Sequence, residues 1–256
     1  WRLASFDYSQ IELRLLAHLS RDPALSEAFH RGDDIHTAVA AQIHGVPLEK
    51  VSREQRNSAK MVNFGIVYGI TSYGLARRLK IGEKEAAEII AGYKKKFAGI
   101  TTFLEECIAQ AQRYGYVETM LKRRRPITGI ESRNPNERAL AERVAINSVV
   151  QGSAADLIKM AMIDLHRRLG GVARRPDSET ARQGRNSAPS TQHLAPPEIA
   201  GVKMLLQIHD ELVFEAREEV AEDARRLIVA RMEKAMELTV PLKVDSGVAR
   251  DWFGGK

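Results

Sequence analysis

Two hydrophobic periods run through this chain, and each predicts its own elements. Lys203–Glu215, KMLLQIHDELVFE, sets apolar runs on either side of His209-Asp210-Glu211. That pattern predicts a tight β-hairpin with adjacent carboxylates near its tip. Leu3-Ala4-Ser5-Phe6 predicts a short strand that Asp7 closes. Beyond it, Ile11, Leu15, Leu16 and Leu19 fall on one helical face, and Ser9 with Glu12 matches a capping box. Asp34 is placed to cap a helix through Ala38, Val39, Ala41 and Ile43. Ser52 and Gln55 are placed to cap another, starting at Arg53. Helices are predicted over 82–97, with Ala86, Ile89, Ile90 and Tyr93 inward, and over 101–114, with Cys107 buried. Tyr116–Leu121 predicts a short strand.

The second half continues the pattern. Asn134-Pro135 is a good helix start, and the helix runs through Leu140, Val144 and Ser148. It continues over 156–169 with Ile158, Met162, Leu165 and Leu169 inward. Residues 170–201 are rich in Ser, Pro, Gln, Gly and Arg without apolar periodicity, so they read as a disordered insertion, a solvated tether. An amphipathic helix is predicted over 218–238. An edge strand, where Pro241 is tolerated, is predicted over 240–245. Trp252 is expected to pack the terminus.

Composition adds bounds. The 256 residues suffice for a substantial core and one or two domains. A net charge of +6 favours a polyanionic partner. A single cysteine, Cys107, excludes an intrachain disulfide and disfavours a cysteine-based zinc site. No run of 18 apolar residues and no secretory signal is present, so no membrane association is expected. The chain opens at Trp1 on the threshold of a strand, as a piece of a longer protein would.

Candidate chemistry lies in a few clusters. Asp7 and the Asp210-Glu211 pair are far apart in sequence, yet two strand ends in one sheet could bring them together. Carboxylates from separate elements hold metal pairs about 3.5–4 Å apart in phosphoryl-transfer enzymes. The alternative is an ordinary exposed hairpin tip. Arg56, Lys60, Phe64 and Tyr68 recur every four residues, a stripe drifting only about 40° per step. Two cations followed by two aromatics suit a triphosphate and its base and sugar. The alternative is a snorkelling basic face grading into buried aromatics. Gly65 and Gly69 cost up to about 1 kcal/mol each in a helix interior, which implies close approach of another backbone or a ligand. The run Lys122-Arg123-Arg124-Arg125 suits phosphate contacts that position nucleic acid without reading it, or a solvated turn. Arg143, Asn147 and Gln151 make a polar stripe or an ordinary exposed face. His36, in the first turn of its helix, reads by itself as a surface or capping residue.

DYSQIELRLLAHLS, RNSAKMVNFGIVYG and QIHDELVFE stand in the order of motifs A, B and C, and the chain resembles family A DNA polymerases, the bacterial DNA polymerase I type. The resemblance covers nearly the whole chain except 170–201. It departs at Lys122, where the family usually has glycine. It implies an α+β fold: a small antiparallel palm sheet with a mainly helical fingers subdomain. Residues 1–30 would be the first palm part with motif A, and 31–130 the fingers with motif B and the basic loop. Residues 131–169 would be palm-associated long helices, and 202–256 the second palm part with motif C. The thumb, a proofreading exonuclease and the first half of the palm are not among these motifs.

Carried over by resemblance, Asp7, Asp210 and the Tyr8 carbonyl would bind two Mg²⁺ ions, with Glu211 supporting. Arg56 and Lys60 would hold the triphosphate, and Lys60 would also donate a proton to the departing pyrophosphate. Phe64 would pack on sugar and base, and Tyr68 would stack at the insertion site. Glu12 would exclude ribonucleotides, His36 would contact phosphates, and Gln10 would lie at the site's edge. Arg143, Asn147 and Gln151 would line the duplex, His209 would approach the primer end, and Arg123 and Arg124 would contact DNA. The resemblance implies primer-template DNA and dNTPs as partners of a monomer, in a bacterial cytoplasm at the nucleoid. Two other readings stay open on the residues alone: a two-metal nuclease and a non-catalytic DNA-binding fragment.

Overall fold

The computed structural model describes residues 1–169, 199–251 and 254. The expectations for most of 170–201 and for Trp252 fall outside the described residues. In chain order the first elements are β1 (Arg2–Tyr8), α1 (Ile11–Ser20), α2 (Pro23–Arg31), α3 (Ile35–His44) and α4 (Arg53–Val67). Next come α5 (Ser72–Leu79), α6 (Glu83–Lys96), α7 (Ala98–Tyr114), β2 (Tyr116–Glu118) and β3 (Arg124–Pro126). The last are α8 (Pro135–Leu169), β4 (Val202–Ile208), β5 (Glu211–Ala216), α9 (Ala221–Met232) and β6 (Val244–Ala249). The α+β expectation holds. Contacts divide the chain into two units: one of Trp1–Ser9, Ile158–Met236 and Lys243–Lys256, the other of Gln10–Leu157 and Glu237–Leu242.

The first unit is built on an antiparallel sheet of order β4-β5-β1-β6. The predicted hairpin forms, and β1 lies between its second strand and the last strand of the chain. Alternation along β1 sends Ala4, Phe6 and Tyr8 to a buried face. Leu212, Phe214 and Ala216 of β5 share that fate, all at 0% exposure. Phe6 meets Phe214 edge-on, with ring centroids 5.4 Å apart. Burying each such ring contributes about 1.5–3 kcal/mol. Helix α9 adds Ala224, Ile228 and Met232. The Tyr8 hydroxyl donates to the Met232 carbonyl at 2.8 Å.

Two boundaries here differ from the sequence expectation. The helix read over 218–238 is a 3₁₀ turn, Glu218–Val220, followed by α9, which stops at Met232. Beyond Met232 the ladder tightens into i→i−3 bonds, from the Lys234 N–H to the Arg231 carbonyl and from the Ala235 N–H to the Met232 carbonyl, which also accepts from Tyr8. The terminal strand starts at Val244, not Val240. Pro241 has no N–H for a ladder, and Val240 and Leu242 are instead buried within the second unit.

The second unit is helical around one hydrophobic cluster, which includes Leu13, Leu25, Phe29, Val62, Leu75, Phe103 and Ile146. Asp22, 1% exposed, organises one corner. Its carboxylate caps α2 through the Leu25 N–H at 2.9 Å and accepts from the Gly99 N–H of α7, also at 2.9 Å. A Cβ on Gly99 would sit 2.9 Å from the Asp22 Cα, so only glycine permits this approach. Helices α2 and α5 were not apparent in the pattern, although Asp22 with Pro23, and Thr71, are sound caps.

Other expectations in this unit are corrected. The Ser9–Glu12 capping box does not form: Gln10 is the α1 cap, at φ 54°, and no side chain caps the helix. The core face of the first half of α8 is Ala141, Ala145, Ile146 and Val149, while Leu140 is 54% exposed. A Cβ on Gly65 would stand 3.2 Å from the Ile70 side chain, and Gly65 and Gly69 both line the cleft beside α4. The strand read as Tyr116–Leu121 stops at Glu118, because Thr119–Arg123 turns. Lys122, the position where the resemblance leads one to expect glycine, sits in that turn at φ 62°.

Left-handed backbone costs an L-residue about 1–2 kcal/mol. The Lys122–Glu118 ion pair, at 3.6 Å with the lysine side chain 80% exposed, offsets little of that. Lys122→Gly is therefore expected to stabilise the protein by about 1 kcal/mol, read as a higher urea midpoint at unchanged slope. A lower midpoint would mean the lysine makes contacts worth more than its backbone strain.

Candidate functional site

In the first unit, strand register assembles the acids. Asp7 pairs across the sheet with Glu211 of β5 on one side and Asp245 of β6 on the other. Directly opposed residues share a face, so three carboxylates form a row over three adjacent strands. Asp210 stands at the hairpin turn, where its carbonyl accepts from the Tyr8 N–H at 3.3 Å. His209 beside it is exposed at φ 55°, and its carbonyl accepts from the Gln207 side chain at 2.9 Å. Partial enclosure, then the charges of Asp210, Glu211 and Asp245, push the Asp7 carboxyl up to about 6. The expected meeting of Asp7 with Asp210 and Glu211 is present. Asp245 was missed, because one acid in a terminal strand carries no signal of its own.

Like charges placed opposite one another in a sheet repel. A divalent cation resolves that conflict, and the hard oxygen donors suit Mg²⁺. Among the described residues no three His, Cys, Asp or Glu side chains close into a complete metal cage. Mg²⁺ needs none, since one or two carboxylates with water and substrate oxygens complete its shell. The donor set fits such an ion.

In the second unit, α4 carries the other cluster. Its capping box forms as expected: Gln55 N–H donates to Ser52 Oγ at 3.2 Å, and Ser52 N–H to Gln55 Oε1 at 2.9 Å. Phe64 and Tyr68 stack, with centroids 6.2 Å apart and planes 16° apart. Lys60, Phe64 and Tyr68 line a cleft of about 800 Å³ together with Arg143 and Arg78. Arg78 was not anticipated; it lies on α5, a short helix that the pattern did not reveal. The Tyr68 hydroxyl donates to the Glu12 carboxylate and is also bonded to Gln151. Burial, then Glu12, raises the Tyr68 pKa strongly.

Asp34 links α3 to α4. Oδ1 accepts from the His36 N–H at 3.0 Å and caps α3; Oδ2 accepts from the Thr37 hydroxyl at 2.8 Å and from Arg56 Nε. His36 is 2% exposed. Its Nδ1 lies 2.8 Å from Asn63 Nδ2, and its ring leans on Phe64 at 5.8 Å. Burial, with Arg56 and Lys60 contributing against Asp34, lowers its pKa to about 4, so it is neutral at pH 7. His36, expected to contact phosphates, is a buried and uncharged ring packed on Phe64 of α4.

The remaining candidates divide. Arg143 stands beside Gly69, its Cγ 3.5 Å from where a Cβ would be. Asn147 Oδ1 and Gln10 Oε1 are buried without a hydrogen-bond partner among the described residues. Arg123 is used within the fold: Nε donates to Asp156 at 3.0 Å and Nη2 to the Gly152 carbonyl at 3.0 Å. Arg124 donates to Glu118 at 3.0 Å and covers the Tyr116 ring at 4.6 Å. Neither contact was legible in the basic run.

Comparison with known proteins matches residues 1–254 to DNA polymerase family A. The chain belongs to that family. DNA polymerase I of Bacillus caldotenax is 46% identical over 256 residues, covering all of this chain and 26% of that protein. DNA polymerase I of Lactococcus lactis subsp. cremoris is 44% identical over 255 residues, 99% of this chain and 26% of that protein. The chain thus spans about a quarter of the length of these relatives. The solved POL domain of Pol1 from M. smegmatis, in complex with DNA primer-template and dNTP, matches 98% of this chain and 40% of that one. Its TM-score is 0.83 at 38% identity. Among the described residues no helix is long and apolar enough to cross a membrane.

The pH behaviour of His36 is testable. Its folded pKa of about 4 lies below the ordinary 6.5, so the unfolded chain binds the extra proton between those values. Its contribution is complete above pH 6.5 and is lost as pH falls toward 4, by about 3 kcal/mol in all. Urea unfolding from pH 7.5 to 4 should show this slope in the wild type, and His36→Gln should remove it. Parallel slopes would disprove the shift.

Proposed function

We propose that this chain forms the palm and fingers of a template-directed DNA polymerase that adds deoxynucleotides to a primer 3′ end. The sheet-bearing residues are the palm; the helical stretch 31–130 is the fingers. The row of carboxylates on β1, β5 and β6, in a chain matched to the family along its length, is the observation that carries the reading. Asp7 and Asp210, with the Tyr8 carbonyl, would hold two Mg²⁺ ions, and Glu211 would keep the pair in place. When bound, the ions supply acidification of the primer hydroxyl and charge neutralisation at the leaving pyrophosphate.

The chain's own residues do the rest. Arg56 and Lys60 offset charge that moves toward the β-phosphate, and Lys60 gives the pyrophosphate a proton. Phe64 and Tyr68 offer flat surfaces to sugar and base. Glu12, fixed by Tyr68, crowds the sugar 2′ position, and Gln10 sits at the edge. Arg143, Asn147 and Gln151 follow the duplex minor groove, where acceptors recur at similar places for every base pair. His209 approaches the primer end; Arg123 and Arg124, already engaged within the fold, offer their outer edges to phosphates. We propose a monomer acting on nucleoid DNA in a bacterial cytoplasm. A nuclease reading leaves the Lys60–Phe64–Tyr68 cleft without a role.

Labelled primer-template with Mg²⁺ and dNTPs separates the readings for the protein that contains this chain. Extension is expected; degradation points to a nuclease, and binding alone to a non-catalytic module. Asp210→Ala should abolish single-turnover extension while leaving DNA binding partly intact; near-wild-type extension would remove Asp210 from the chemistry. Glu12→Ala should raise the ratio of ribonucleotide to deoxynucleotide incorporation. An unchanged ratio would reduce Glu12 to a stabilising partner of Tyr68.

A further inference from the structure

We propose that Asp34 is the positioning residue for the triphosphate arm Arg56, an inference that rests on the polymerase reading of α4. Arginine grips phosphate well only when its planar fork is presented edge-on. A long, solvated side chain at the start of a helix spreads over many rotamers, and fixing it costs entropy on each binding event. The structure supplies a fixed partner. Asp34 Oδ2 accepts from Arg56 Nε, while Oδ1 is tied to the N-terminus of α3 and Oδ2 is further held by Thr37. The Asp34 carboxylate therefore cannot swing with the arginine. Among the described residues the bond to Asp34 is made by Nε, which leaves the outer Nη1–Nη2 edge of Arg56, on a side chain 40% exposed, to receive a ligand.

Burial would raise the Asp34 pKa, but the hydrogen bonds from Arg56 and Thr37 and the Arg56 charge outweigh it, and the group stays ionised. Its negative charge also opposes an incoming triphosphate. The carboxylate sits on the Nε/Nη2 edge, away from Nη1, so the outer Nη edge of the fork points away from its charge and solvent screens the remainder.

Substitution separates this role from plain helix capping. Asparagine caps α3 as well as aspartate does but cannot hold Arg56 by charge. In the protein containing this chain, Asp34→Asn should keep its melting temperature within about 2 °C, since the cap is retained. Its KM for dNTP should rise about tenfold with kcat within about threefold, the pattern of lost ground-state positioning. Arg56→Ala alone and Asp34→Asn with Arg56→Ala should show the same KM, because Asp34 acts through Arg56. An unchanged or lower KM in Asp34→Asn, or additive effects in the double variant, would overturn the inference. A wild-type protein that does not extend primers at all would instead overturn the polymerase reading on which it stands.

Discussion

Antiparallel pairing of β1 with β5 is the constraint on which the acidic site depends. The register from Arg2↔Ala216 to Asp7↔Glu211 is set by the buried face, because a slip of one residue would turn Phe6 and Phe214 outward. The same alternation that buries Phe6 presents Asp7 to the other side. Hydrophobic burial thus holds together acids that repel one another. The sheet is stable enough to carry this conflict because its opposite face is almost entirely apolar.

The helical unit solves a different problem, the presentation of cations. Its α4 helix is anchored from behind by uncharged contacts, His36 on Asn63 and Phe64, and at its start by an ion pair. One side of the helix is thereby fixed within the unit while Lys60, Phe64 and Tyr68 line an open cleft. Burial, with Arg56 and Lys60 nearby, keeps His36 uncharged and so keeps a positive charge out of the interior.

Elements with strong periodicity were readable from the amino acids alone. The hairpin, α3 with its Asp34 cap, α4 with its capping box, and the long α8 all follow from local pattern and cap chemistry. The failures have physical causes. Ser9 and Glu12 satisfy the spacing of a capping box, but tertiary contacts claim Glu12 for Tyr68. The last helix ends at Met232, whose carbonyl accepts from Tyr8, a residue far away in sequence. On the site itself, Asp7, Asp210 and the α4 stripe were legible through their motifs. Asp245, Arg78 and the bond from Tyr68 to Glu12 were not, since each depends on where separate segments meet.

Strand β1 is synthesised well before either of its sheet neighbours, β5 and β6, which follow only after α8. At synthesis rates of 5–20 residues per second, β1 waits roughly 10–50 s for partners. Residues 10–157 are nearly continuous within the helical unit and can collapse meanwhile through local contacts. During that interval the apolar face of β1, Phe6 included, waits for β5 to cover it, so the burial that fixes the sheet's register is among the last steps of folding.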